Sequence, residues 1–363
     1  MKKFVFVIIL SILFITLGSY PCLAGETDNI VNSTPDEITE YLPSGSSTED
    51  IVKSTDASYV VSLFSKLIKS AFSKVSETLL YLLGCIFITS IINLVFETLG
   101  KKGTEICKFI STVFITTAVY TLICGVFDSV AQYLEKLSGF ISSLAAAMGA
   151  IYVSGGNASA AISNSSGVAA ILIVVEKICI RYLIPLLKIC FALGIASSIS
   201  GVRLNKFSSM IKKGFISVTV LLMTIITITL AFQTSISSSA DSVAVRSLRF
   251  VALKSIPVVG GGIGEALRTV SAGLELTKSV TSAYGVIVIL VMALIPLSEL
   301  FSLKISLSLS EALSSLIAVN GQDGILSEAI SLIDFLISLV AIVSLVFLIV
   351  ISLFMSTSSA IYY

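Results

Sequence analysis

Two uninterrupted apolar stretches, 79–96 and 109–127, constrain this chain more than any other feature. Neither holds a charged side chain. A helix needs roughly 20 apolar residues to cross the hydrocarbon core of a bilayer. Lipid offers no partner for an open backbone N–H or C=O, so such segments must satisfy themselves as α-helices. Stretches 215–232, 283–300 and 333–355 have the same character, and 168–200 has room for one more span near 182–200. The expected fold is therefore all-α: a polytopic helical membrane protein with about six transmembrane helices. Residues 138–153 are apolar but short and rich in Gly and Ala, which predicts a re-entrant or interfacial piece. Composition agrees, with 55% hydrophobic residues, 12% charged and a mean hydropathy of +1.03.

The segments around this core read differently. Lys2 and Lys3, the apolar run 4–17 and the small residues before Gly25 predict a signal peptide over 1–24. Residues 25–58 carry eight acids against Lys53 alone, which predicts a flexible extracytoplasmic leader. Over 59–78, Val60, Phe64, Leu67, Ala71 and Val75 recur at helical spacing with Lys66, Lys69 and Lys74 between them, so an amphipathic basic helix is expected. The membrane domain then fills 79–363. The basic loops 101–108 and 201–214 should face the cytoplasm, placing both termini on the exported side. The insert 233–281 would then be external, although its five cations outnumber its three acids. Over 302–309 serine and Lys304 alternate with Leu and Ile, a strand pattern; an isolated strand near lipid is untenable, so 301–319 is read as helix. Asn320 to Gly324 reads as a turn.

Few residues suit chemistry. The chain has no histidine, which excludes imidazole catalysis and histidine metal sites. Six cysteines form no C-x-x-C pair, and the five beyond the leader are expected to be buried thiols. No paired intramembrane acids suggest an aspartyl protease. No cofactor, metal or catalytic residue is therefore expected, and the chain is read as non-enzymatic. A net charge of +1 gives no argument for nucleic acid.

Two groups of residues still deserve assignment. Pro257, Gly260, Gly261, Gly262 and Gly264 predict a tight turn opening a helix, followed by the apolar stripe Ile263, Leu267, Val270 and Leu274. With Arg246, Arg249 and Lys278 they are candidates for partner binding or helix packing. Lys177, Arg181 and Lys188 lie four and eleven residues apart, which returns to one face of an α-helix over roughly 16 Å. Either they mark a membrane boundary by snorkelling, or they face water or an acidic helix, with Asp334 as a counter-ion.

The run from Asp241 to Leu300 also resembles stage III sporulation protein AE of endospore-forming bacteria. It reads D-S-V-A-V-R-S-L-R-F, then I-P-V-V-G-G-G, then E-A-L-R-T-V, Lys278, Gly285 and a closing L-I-P-L-S-E-L. Asp241, Val243, Ala244, Arg246, Phe250, Pro257, Val259, Gly260, Ala266, Thr269 and Val270 carry the likeness with Lys278 and Gly285. Glu265 stands where an aspartate is expected, and the extra glycines are a local departure. The resemblance implies a membrane subunit of a multiprotein, secretion-like channel joining mother cell and forespore. It implies a place in the mother-cell membrane around the forespore, with the exported face toward the intermembrane space. Implied partners are the other stage III sporulation A proteins, including an ATPase and ring-forming subunits, and stage II sporulation protein Q. Association with further copies of the same chain is left open. The alternative class is a self-contained small-molecule transporter or permease, which often shows two related halves. No such repeat is visible, and the proline-broken segment 168–200 has no twin.

Overall fold

The structure, a computed structural model, describes residues 34–43, 45, 47–97, 101–154, 158–200, 260–316 and 323–356 and most of 209–232. The signal-peptide segment, the loop 201–208, the strip 233–259 with Arg246, Arg249 and Pro257, and turn residues 320–322 lie outside the described residues. Among the described residues all regular structure is helical. Two short helices, α1 (Asp36–Thr39) and α2 (Thr48–Lys53), precede the long rods α3 (Ala57–Glu97) and α4 (Lys101–Ser154). Helix α5 (Ala158–Ile173) runs through a π-helical segment (Val174–Leu183) into α6 (Ile184–Ser200). Helix α7 (Ser209–Thr229) is followed by α8 (Gly260–Leu316) and α9 (Asp323–Ser356). Five helices, α3, α4, α7, α8 and α9, are long and apolar enough to span a membrane.

Two expected boundaries are absent. The amphipathic segment 59–78 and the run 79–96 form one rod, α3. Residues 138–153 are no separate re-entrant piece, because they continue α4. The linking sequence, 128–137, is rich in good helix formers and lacks Gly and Pro, so nothing stops the helix there. The alternating stretch 302–309 is helical, as the cost of an unpaired strand required. Its serines recur every four residues, and Ser302, Ser306, Ser310 and Ser314 make one buried face. The Ser306 hydroxyl stands 3.1 Å from the Val75 carbonyl across the α3–α8 contact.

The rods are much longer than a bilayer is thick. Helix α4 has 54 residues and α8 has 57, hence about 80 Å and 85 Å at 1.5 Å per residue. The hydrocarbon core is about 30 Å. Side-chain contacts fix their relative height. Both oxygens of Glu299 are engaged, one by Lys74 of α3 and the other by Ser129 of α4 at 2.9 Å. The Asn93 side-chain Oδ1 of α3 accepts from the Cys107 thiol of α4 at 2.9 Å. Tyr133 of α4 and Ser344 of α9 share a 2.6 Å hydrogen bond, and Tyr120 stacks on Phe191 of α6 at 6.2 Å. Helices α3, α6 and α8 therefore run one way and α4 and α9 the other.

This register has one consequence for packing. The apolar run 283–300 of α8 ends at Glu299, the level where the run 79–96 of α3 begins. The two lie end to end, not side by side. The same holds for 109–127 of α4 and most of 335–352 of α9. The bundle thus has a lower layer, built around 79–96 and 109–127, and an upper layer, built around 283–299, 335–352 and 138–153. Large apolar side chains fill the upper layer: Tyr284, Val288, Leu336, Val340 and Phe347 are all fully buried.

The acidic leader is more ordered than its composition predicts. Ile38 and Ile51 are buried in the main core. The Thr34 and Tyr284 hydroxyls lie 2.7 Å apart, Tyr59 donates to the Tyr41 carbonyl at 2.6 Å, and Lys66 pairs with Glu40 over the Tyr41 ring. Asp56 caps α3 by accepting from the Tyr59 amide at 2.8 Å and the Ser58 hydroxyl at 3.0 Å. These bonds hold its carboxyl below the ordinary 3.8, so the cap is intact at neutral pH and is lost as pH falls through the lowered value.

Candidate functional site

The two layers meet at a ring of charge. Lys74, Glu299 and Ser129 tie α3, α8 and α4 together. At the same height Lys188 of α6 pairs with Asp128 of α4 at 3.1 Å, and its ammonium sits 6.0 Å from the Phe127 ring centre. Local sequence explains each placement. Asp128 and Ser129 immediately follow the apolar run of α4, Lys74 and Glu77 precede that of α3, and Glu299 closes that of α8. Charges at the ends of apolar runs converge because helices in opposite senses share one boundary.

The predicted basic stripe is placed by this collar. Lys177, Arg181 and Lys188 are all exposed. Lys177 and Arg181 lie in the π-helical segment, where the Ile184 amide bonds the Cys179 carbonyl five residues back. The α-helical arithmetic thus applies only in part. Asp334 is not their counter-ion. It pairs with Lys304 of α8, about 7.5 Å along α8 below Glu299, and Lys188 takes Asp128 instead. Both members of the Lys188–Asp128 pair are about half exposed, so Lys188→Leu should change stability by less than about 1 kcal/mol, read as a small shift in thermal midpoint.

Among the remaining candidates, Gly260, Gly261, Gly262 and Gly264 lie in the opening turns of α8, and Lys278 follows in the same helix. The expected glycine turn is helix from Gly260 onward. Sequence reasoning missed Glu328 of α9. It is 7% exposed and packs on Gly194 of α6, where an added Cβ would overlap its Cγ and lie 3.1 Å from its Cδ. The signal was available as an acid flanked by apolar residues in 323–333, but its partner is a glycine 134 positions away in sequence.

The arrangement offers helix faces, paired charges and a buried acid, and the described residues hold no cluster of His, Cys, Asp or Glu suited to a metal. The five cysteines at 85, 107, 124, 179 and 190 are free, and all but Cys124 are buried. A family model described as stage III sporulation protein AE matches residues 45–358. No curated protein and no solved structure matches the chain.

Proposed function

The chain belongs to the stage III sporulation protein AE family, and on that premise we propose that it is a non-catalytic membrane subunit of a multiprotein, secretion-like channel between mother cell and forespore. The observation that carries this reading is the match over nearly the whole chain, 45–358. The family name implies a role in sporulation, and the apolar helices fit a membrane protein. In this reading the chain sits in the mother-cell membrane around the forespore. Its N-terminal segment and the insert 233–281 face the intermembrane space. Its partners are the other stage III sporulation A proteins and stage II sporulation protein Q, with Arg246, Arg249 and the glycine-rich start of α8 as docking candidates.

Deletion of the gene tests the proposal. Vegetative growth should be unchanged, late forespore gene expression should fail after engulfment, and heat-resistant spores should be lost. The tagged protein should recover the partner subunits from sporulating cells. A full yield of heat-resistant spores from the deletion strain would sink the reading.

A further inference from the structure

Among α3, α4 and α9, the side chains open to the surroundings are mostly apolar below the collar and mostly polar or small above it, where Val153 of α4 and Leu345 and Ile349 of α9 are the apolar exceptions outside α3. On α4, the lower layer exposes Phe109, Ile110, Val113, Phe114 and Tyr120. The upper part of the same helix exposes Gln132, Glu135, Ser142, Ser143, Ala146 and Ala150. Helix α3 repeats the contrast. Below the collar it opens Leu80, Phe87, Ile91 and Leu94. Above it, Ser62, Ser65, Lys66, Lys69 and Ser73 are open, interrupted by Val61, Ile68 and Phe72. The most apolar run of α8 has no exposed position at all between 279 and 300.

Both layers bury large apolar side chains, Leu82, Ile86, Ile115 and Val119 in the lower one, and the lower layer adds a buried hydroxyl face. Without a hydrophobic drive, helices in lipid associate through small and hydroxyl-bearing residues. That is the chemistry of the lower α8 face, Ser302, Ser306, Ser310 and Ser314. Helices in water associate by burying large apolar side chains. That is the chemistry of the upper layer, where Tyr284, Val288, Val340 and Phe347 meet.

We propose that the bilayer holds the lower layer alone. In α8 and α9 the bilayer is entered by the hairpin arms 300–316 and 323–334, about 25 Å and 18 Å long at 1.5 Å per residue, behind the lipid-facing α3 and α4. The runs 283–299 and 335–352 are the dry core of a helical domain standing on the exported side. Their hydropathy records burial by protein, not by lipid. Of the hairpin's charged groups, Asp323 and Glu311 lie toward its tip, and Glu328, Lys304 and Asp334 are accommodated deeper. Insertion scales put a lone charge at the bilayer centre at about 2.5–3.5 kcal/mol. Glu328 is shielded against Gly194, and Lys304 and Asp334 neutralise each other close below the collar.

The chain contains no tryptophan, so a single introduced indole reports its own surroundings. The full chain is reconstituted in vesicles containing lipids brominated along their acyl chains. Phe87→Trp and Val113→Trp should lose most of their fluorescence, while Leu345→Trp and Ile349→Trp should keep it. Equal quenching at all four, or none at Phe87 and Val113, overturns the proposal. Leu345→Cys in a cysteine-free chain supplies the second readout. A membrane-impermeant maleimide should label it from the exported face of sealed vesicles, and protection from both faces overturns the proposal. Labelling from the opposite face alone upholds the layering and reverses the orientation given under the proposed function.

Discussion

Phe347→Ala should destabilise the bundle by about 3–5 kcal/mol, the usual cost of emptying a buried aromatic site. Phe347 is 0% exposed in the upper layer. Its loss leaves a cavity that rods fixed at both ends cannot collapse. Phe87→Ala removes the same atoms from a side chain that is 63% exposed in the lower layer, so its effect should stay within about 0.5 kcal/mol. Thermal unfolding of the two purified variants makes the comparison. Equal losses would mean that the upper layer is not a packed core.

The second large effect is expected at Gly194. Overpacking a tight contact costs about 1–3 kcal/mol and occasionally more, and Gly194→Leu should fall at or above the upper end. Even a methyl group there overlaps the Cγ of Glu328, close to the α9 backbone. Gly125→Ala is the control. Nothing lies within 4 Å of a Cβ built at that position, so the substitution should be neutral or stabilise by up to about 1 kcal/mol through helix propensity. Adding Glu328→Ala to the Gly194 variant should restore much of the loss, because the obstructing carboxyethyl group is gone. A double variant no more stable than the single one would show that the clash is not with Glu328.

The helical fold was legible because lipid and helix geometry leave few alternatives. The runs 79–96 and 109–127 announced two crossings, and the conflict at 302–309 was resolved correctly by asking where a strand's hydrogen bonds would go. Heights of the helices were not legible. The contacts that set them join Lys74 to Glu299 and Ser129 to Glu299, positions 170 or more residues apart, and no local pattern encodes such a separation. Hydropathy also cannot distinguish an apolar face covered by lipid from one covered by another helix. For the same reason Leu83 and Leu336 read alike; 138–153 was read as a re-entrant or interfacial piece because it is short and rich in Gly and Ala. The leader was misjudged through its charge. Two isoleucines and Tyr41 suffice to seat residues 34–58 on a surface already formed by the longer rods. At the candidate site, spacing singled out Lys177, Arg181 and Lys188 as cations near an apolar run. The Lys188 partner, Asp128, was invisible, as its sequence context says only that an apolar run has ended.

Two prolines stand at matching heights in this bundle. Pro185 lies three residues above Lys188 on α6, and Pro296 three residues above Glu299 inside α8. Each removes one rung from its helix's ladder of backbone hydrogen bonds. With the π-helical segment that ends at Leu183 beside Pro185, these missing rungs put bending compliance in a plane just above the collar. A lateral push on the upper layer is then resolved as a torque about that plane. The lower layer receives a rotation of its inner helix, α8, against its outer ones, while the length of every rod stays fixed.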